Sequence, residues 1–320
     1  MKKSLIYLCV VFVSLSINNI NAQSNLKKIR FAVHWMPQAQ FSGYYIGVDK
    51  GIYKKYGFDV EIIHSTSSVT SQDLLLDGKV DFASMFLTTA MVLRSYNAPI
   101  INVAQLSQRC GQVLVAKNNK IKEIANLNNK KIGIWKSGFD EILMSFINKN
   151  KLNVKIVLIN STINLFLFDG IEAMNTMWFN EYHSIINAGI NEDELKTFFF
   201  ADYGLDIPED GIYMLQNNFD KETVDKFIKA TFEAWNYTFE NKEEAIKLVE
   251  IEMKAQNIAF NKSQQVWMLN RLHDLFYVKD KKYLKGQLLE SDFENTYNIL
   301  TDLNRINNSF NYVDFYFGIK

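Results

Sequence analysis

The run from Arg30 to Ile63 carries two different hydrophobic periods, and the rest of the chain is organised around it. Ile29, Phe31 and Val33 alternate with polar or small neighbours, and Phe58, Val60 and Ile62 repeat that spacing after Gly57, so both ends predict strands. Between them, Tyr44 to Tyr56 is long enough for a crossover helix, and a strand, crossover and parallel strand in one sheet has a fixed hand. The loop HWMPQAQFSGYY therefore leaves the carboxyl end of the first strand, where open α/β sheets hold their ligands. It sets Trp35, Phe41, Tyr44 and Tyr45 beside Gln38 and Gln40, which is stacking surface next to amide donors and acceptors.

The alternation continues. A hydroxyl-rich loop with Ser67, Ser68, Thr70 and Ser71 precedes a short helix near Leu74 to Leu76, a turn at Asp77-Gly78 and a strand at Val80 to Ala83. Those hydroxyls suit a helix N-cap, and free N–H groups there attract anions; a plain capping cluster explains the same letters. A helix over Thr88 to Tyr96 and a strand over Ile100 to Leu106 follow, and SQRCG then breaks the pattern before a strand at Val113 to Ala116. A polar break between two extended segments predicts a crossing between lobes.

Beyond it the pattern predicts a strand at Lys131 to Trp135, a Ser137-Gly138 turn, a helix over Asp140 to Lys149, and strands at Val154 to Ile159 and Glu172 to Trp178. Asn180 reads as the N-cap of a helix to Ala188, which puts Trp178, Asn180 and Glu181 at a strand's carboxyl end. Two extended pieces around the polar stretch containing Pro208 and Glu209 predict the return crossing, and the remainder is amphipathic helix expected to pack on the first lobe. The expected division is a signal segment at 1–22, one lobe from 23–107 and 206–320, and a second from 108–205.

Composition narrows the class. Lys2 and Lys3 before the apolar run Leu5 to Val13, with Asn21-Ala22 ahead of Gln23, predict a cleaved secretory signal. Cys9 would leave with it, so Cys110 alone excludes an internal disulfide framework. Thirty-five basic residues balance thirty-five acidic ones, and loss of the two lysines leaves 33 against 35. That balance offers neither a basic field for nucleic acid nor a basic stripe for anionic membrane.

Candidate chemistry is sparse. None of His34, His64, His183 and His273 has a ligand-spaced partner, so no metal is expected. Cys110 fits a packed hinge thiol better than a nucleophile, and no serine sits in a nucleophile elbow. Asp202, Glu209 and Asp210 cluster at the return crossing, where they could accept from an amine or simply solvate a turn. Trp235 and Trp267 fall in amphipathic helices and read as core, whereas Trp35, Trp135 and Trp178 each end a strand. Three strand-end indoles are the main sign of an aromatic-ligand cleft.

WMPQAQFSGYYIGVDKGIYKKYGFDVEI, LLLDGKVDFA, NLNNKKIGIWKSG, MWFNEYHSIINAG and PEDGIY together resemble the thiamine-pyrimidine-precursor (NMT1/THI5-like) substrate-binding proteins of ABC importers. The resemblance implies an α/β, two-lobed periplasmic-binding-protein type II fold with two hinge crossings. It also implies a periplasmic monomer without a cofactor, handing a small heterocycle to a membrane permease. The ligand would lie against Trp35, Tyr44, Met85, Trp135 and Trp178, with Gln38, Gln40, Asn180, Glu181 and Glu209 on its substituents. Ser67, Ser68, Thr70, Ser71, Ser137 and Gly138 would meet any oxyanion.

The same superfamily holds fungal-type pyrimidine synthases with a lysine, and a histidine four residues on, after the GKVD strand, plus a cysteine-rich iron-binding run. Met85 and Thr89 stand at those two positions here, which removes the Schiff-base lysine and argues against an enzyme. Phe41 replaces a histidine common among relatives, which favours an unphosphorylated ligand. The alternatives are a synthase-like enzyme and the ligand-binding component of a membrane sensor.

Overall fold

The computed structural model describes residues 26–66, 68–135, 139–160 and 162–319. The predicted signal segment, Ser67, Ser137 and Gly138 lie outside the described residues.

Among the described residues, ten strands form two five-stranded mixed sheets. In the first, β1 (Lys27–Val33) pairs in parallel with β2 (Phe58–His64) and β3 (Phe82–Phe86). The antiparallel strand β10 (Asp210–Leu215) separates β3 from β4 (Ile100–Gln105). In the second, β6 (Lys131–Trp135) pairs in parallel with β7 (Lys155–Ile159) and β8 (Ala173–Met177). There β5 (Gln112–Lys117) lies antiparallel between β8 and β9 (Leu195–Phe199). The α/β, two-lobed architecture expected of the sequence is therefore present, and both lobes are mixed rather than purely parallel.

The predicted crossover helix is two helices, α1 (Ser42–Asp49) and α2 (Ile52–Lys55). Gly51 separates them at φ +64°, a left-handed conformation that ends α1 and that side chains with a Cβ disfavour. Around the first sheet lie α3 (Ser71–Leu76) and α4 (Leu87–Ser95), and α5 (Glu141–Lys149), α6 (Asn164–Leu167) and α7 (Glu181–Asn187) flank the second. The third strand starts later than its apolar letters suggest; just before it, Asp81 accepts from Arg30 N of β1 through its carboxylate and donates its own backbone N–H to Arg30 O.

The long α8 (Lys221–Glu240) packs on α1, followed by α9 (Lys242–Ala255) and α10 (Lys262–Phe276), then α11 (Glu290–Asp302) and α12 (Tyr312–Phe315). These helices do not pack on the first lobe alone. Ile299 of α11 is buried in the core of the second lobe, while Met177 and Phe179 are buried in the core of the first. Burial of each such apolar side chain supplies roughly 1.5 to 3 kcal/mol, so the lobes meet through hydrophobic as well as polar contacts.

Candidate ligand-binding site

The carboxyl ends of β1 and β3 and the start of β10 converge on a buried polar network. Burial lowers the pKa of His34 despite the nearby Asp210 carboxylate, so its imidazole is neutral near pH 7. The partners fix its tautomer. Nδ1–H donates to Ser84 Oγ at 2.7 Å, and Nε2 accepts from Gln40 Nε2 at 3.0 Å. Gln40 gives its other amide proton to Asp210 Oδ2 at 2.8 Å, and its oxygen accepts from Gln38 at 2.6 Å. Asp210 Oδ1 is buried without a hydrogen-bond partner; its neighbour is His34 Nε2 at 3.5 Å. An unsatisfied buried carboxylate oxygen costs free energy, which a donor on a ligand would recover.

Aromatic rings continue from this network to the other lobe. His34 packs edge-on against Phe41 at 5.2 Å and obliquely against Phe86, also at 5.2 Å. Phe86 meets Phe139 of the second lobe at 5.6 Å. Trp35 is half-buried at the edge of this wall, its backbone oxygen accepting from His64 Nδ1 at 2.9 Å, with Tyr45 hydroxyl 3.1 Å from His64 Nε2.

The opposing wall is built from amides. Asn175 on β8 donates to Gln112 Oε1 at 3.1 Å and to the Phe139 backbone oxygen at 3.2 Å, while its own Oδ1 is buried without a partner. Thr88 at the start of α4 reaches Glu141 of α5 at 3.5 Å, and burial raises the Glu141 pKa. Arg305 closes the same edge by a 3.0 Å ion pair with Asp140.

Glu209 lies at the return crossing, 3% exposed, accepting from Gln112 N at 3.1 Å. Burial, then the adjacent Asp210 charge, raises its pKa to about 8 against opposing backbone N–H groups, so it is largely protonated at neutral pH. The two crossings are clamped together, since Glu209 N and Asp210 N both donate to Ser107 Oγ at 2.8 Å. Cys110 sits here with its thiol 3.5 Å from Glu209, and burial pushes its pKa well up, which opposes thiolate chemistry.

Several predicted contacts are committed elsewhere. Tyr44 is buried against Phe31 and Trp235 in the first core, and Met85 is buried beneath the first sheet. Trp135 is packed in the second core, its indole N–H donating to Asn175 O at 2.9 Å. Each falls on the inward face of its element, which strand-end position alone could not reveal. Thr70 caps α3 in a reciprocal box with Asp73, so an acidic side chain already faces that helix end. Ser71 ties the helix to Ser84 O, and Ser68 is exposed beside Thr66. Asn180 occupies the N-cap position of α7 without capping it; its amide donates to Glu181, whose carboxylate accepts from Met177 N at 2.8 Å. Burial raises the Glu181 pKa.

Trp178 is half-buried, edge-on to Phe199 and beneath Arg271. Trp267, expected in the core, is half-buried and donates its indole N–H to Trp178 O at 2.9 Å.

Residues the sequence did not single out for the site are Ser84, Phe86, Phe139 and Asn175, while His34 and Asp210 are weighed there only as candidates and stand outside the expected ligand set. The pattern held one usable signal: His34 is the residue that follows β1, the position that strand-end reasoning favours. Asp210 was grouped with Asp202 and Glu209, but Asp202 is exposed and apart. Among the described residues, no group of three or more His, Cys, Asp or Glu side chains could hold a metal ion.

Comparison with known proteins adds family and fold. The family model described as NMT1/THI5 like matches residues 38–245. A Haemophilus influenzae protein named for thiamine biosynthesis is 25% identical over 219 residues, 66% of this chain and 69% of that protein. A Saccharomyces cerevisiae 4-amino-5-hydroxymethyl-2-methylpyrimidine phosphate synthase is 26% identical over 228 residues, 66% of each chain. The chain thus spans about two thirds of the length of these relatives. The periplasmic aliphatic sulphonate binding protein SsuA of Escherichia coli superposes with a TM-score of 0.68 at 12% identity, over 90% of this chain and 91% of that one.

Proposed function

The chain belongs to the NMT1/THI5-like family, and from that premise we propose that it is the periplasmic solute-binding protein of an ABC importer, capturing a thiamine pyrimidine precursor or similar aromatic heterocycle. The observation that carries this reading is a pair of buried acceptor oxygens without partners, Asp210 Oδ1 on the first lobe and Asn175 Oδ1 on the second. They flank the Phe86–Phe139 contact. An amino-substituted ring has N–H donors at its edge and a flat apolar face, which matches acceptors set beside aromatic rings.

The ligand site of this proposal is Trp35, Gln38, Gln40, Phe86, Phe139, Asn175 and Asp210. The hinge lies within residues 106–111 and 204–209, and closure follows because the ligand touches both walls only when they meet. A signal segment at 1–22 would deliver the chain to the periplasm, where the shut form would dock on a permease.

Mass spectrometry of the small molecule that copurifies tests the ligand class, and titration calorimetry with 4-amino-5-hydroxymethyl-2-methylpyrimidine tests the compound. Binding that Asp210→Asn weakens at least tenfold is expected; a copurifying sugar or peptide overturns the reading.

The similarity to the yeast synthase supports a second reading, an enzyme resembling a pyrimidine phosphate synthase. The position of the family's lysine is Met85, buried among apolar side chains, so no amine stands there for a Schiff base. An absorbance band from a lysine-bound cofactor would favour the enzyme.

A further inference from the structure

Helix α10 touches both walls of the cleft with successive residues. Gln265 is buried and turns toward the first lobe, where its oxygen accepts from Ala39 N at 2.7 Å in the aromatic loop. Gln264 turns toward the second lobe. Its amide donates to Asn180 O at 2.9 Å and its oxygen lies 2.8 Å from His183 Nδ1.

One turn further on, Trp267 donates to Trp178 O at 2.9 Å and stacks on His183 with centroids 4.7 Å apart, the planes only 16° from parallel. Arg271 then lies over both indoles, 4.7 Å from the Trp178 ring and 4.9 Å from the Trp267 ring. The spacing 264, 267, 271 is one face of a helix, so a single rigid rod presents the whole set. A guanidinium over a tryptophan face is among the stronger surface interactions, and here two rings from opposite lobes share one cation.

We propose that α10 is a cross-lobe latch: Gln264, Trp267 and Arg271 hold the lobes shut at one edge of the cleft, and Arg271 acts as a positioning residue that keeps the Trp178 ring on the latch. The latch goes beyond the ligand assignment, since it needs only the two-lobed fold. Contacts made only in the shut form bias the hinge toward that form, whatever the ligand. Loss of the Arg271 or Gln264 contacts would shift the open–shut balance by about tenfold, the size expected of one or two such interactions.

The test uses the full mature chain, unfolded and refolded to strip any copurified small molecule. Small-angle scattering gives the radius of gyration, and ¹H–¹⁵N spectra follow exchange of the Trp267 indole proton, identified by its loss in Trp267→Phe. The wild type should match the shut dimensions and protect that proton. Arg271→Ala and Gln264→Ala should each enlarge the radius and speed exchange about tenfold, with Arg271→Lys between them and the wild type. Gln264→Ala removes hydrogen bonds and little apolar area, so it keeps the test sound if the arginine variant misfolds. A wild type already open, or variants that keep both shut dimensions and slow exchange while melting normally, would overturn the latch.

Discussion

The two lobes share one strand layout and fill it with different chemistry. In each sheet the second, third and fourth positions meet at the cleft, and in each the fourth strand is the one a hinge crossing delivers. The first lobe places His34, Ser84 and Asp210 in those slots; the second places Trp135, Asn175 and Gln112. In these slots the first lobe is ionisable and the second is amide, with the Trp135 ring turned into its own core and Glu141 at the edge. Topology supplies the slots, and burial sets a pH response in both lobes, lowering the pKa of His34 in the first and raising that of Glu141 in the second.

Packing is the sharpest place to test that asymmetry. A Cβ on Gly43 of α1 would lie 2.2 Å from Trp235, a fully buried ring, whereas one on Gly133 of β6 would lie 2.5 Å from the Cδ1 tip of Ile171. A rigid ring cannot yield but the end of an aliphatic chain can. Gly43→Ala should therefore cost about 3 kcal/mol or more and Gly133→Ala about 1 kcal/mol, by chemical denaturation. Equal losses would show that the second lobe is packed as tightly as the first.

The next effect concerns pH. The Glu209 carboxyl, ordinarily near 4.5, titrates at about 8 in the fold because of burial and Asp210. As pH rises past 4.5 the unfolded chain ionises first, so this group removes stability progressively up to about 8, after which its effect levels off. Glu209→Gln abolishes that slope: it should match the wild type near pH 4.5 and exceed it at pH 8 by a few kcal/mol. His34 works with the opposite sign. Its pKa is lowered by burial, so stability is lost as pH falls through the unfolded value of 6.5. A Glu209→Gln variant with an unchanged pH profile would remove the hinge carboxyl from the explanation.

Periodicity carried most of the fold. The β6 strand was read to its ends, and the break at SQRCG falls between β4 and β5 because polar letters there face the other crossing. The site was less legible. Trp135 and Tyr44 are sent inward by facing, which a strand end does not specify, and Asp210 is chosen by an antiparallel pairing across more than a hundred residues. Trp267 reads as core from its helix, yet the partner that leaves it half-buried comes from the other lobe. Long-range juxtaposition of this sort has no local signature.

The smallest expected contrast lies at two helix starts that look alike in sequence. Thr70 accepts from Asp73 N and anchors a complete capping box, so Thr70→Ala should cost about 1 kcal/mol. Asn180 stands at the same position of α7 but caps nothing; its side chain serves Glu181 and Gln264 instead. Asn180→Ala should therefore leave α7 intact and loosen the lobe edge, seen as faster exchange of the Trp267 indole proton with a melting temperature close to wild type. A loss in melting temperature as large as that of Thr70→Ala, without the change in exchange, would return Asn180 to an ordinary capping role.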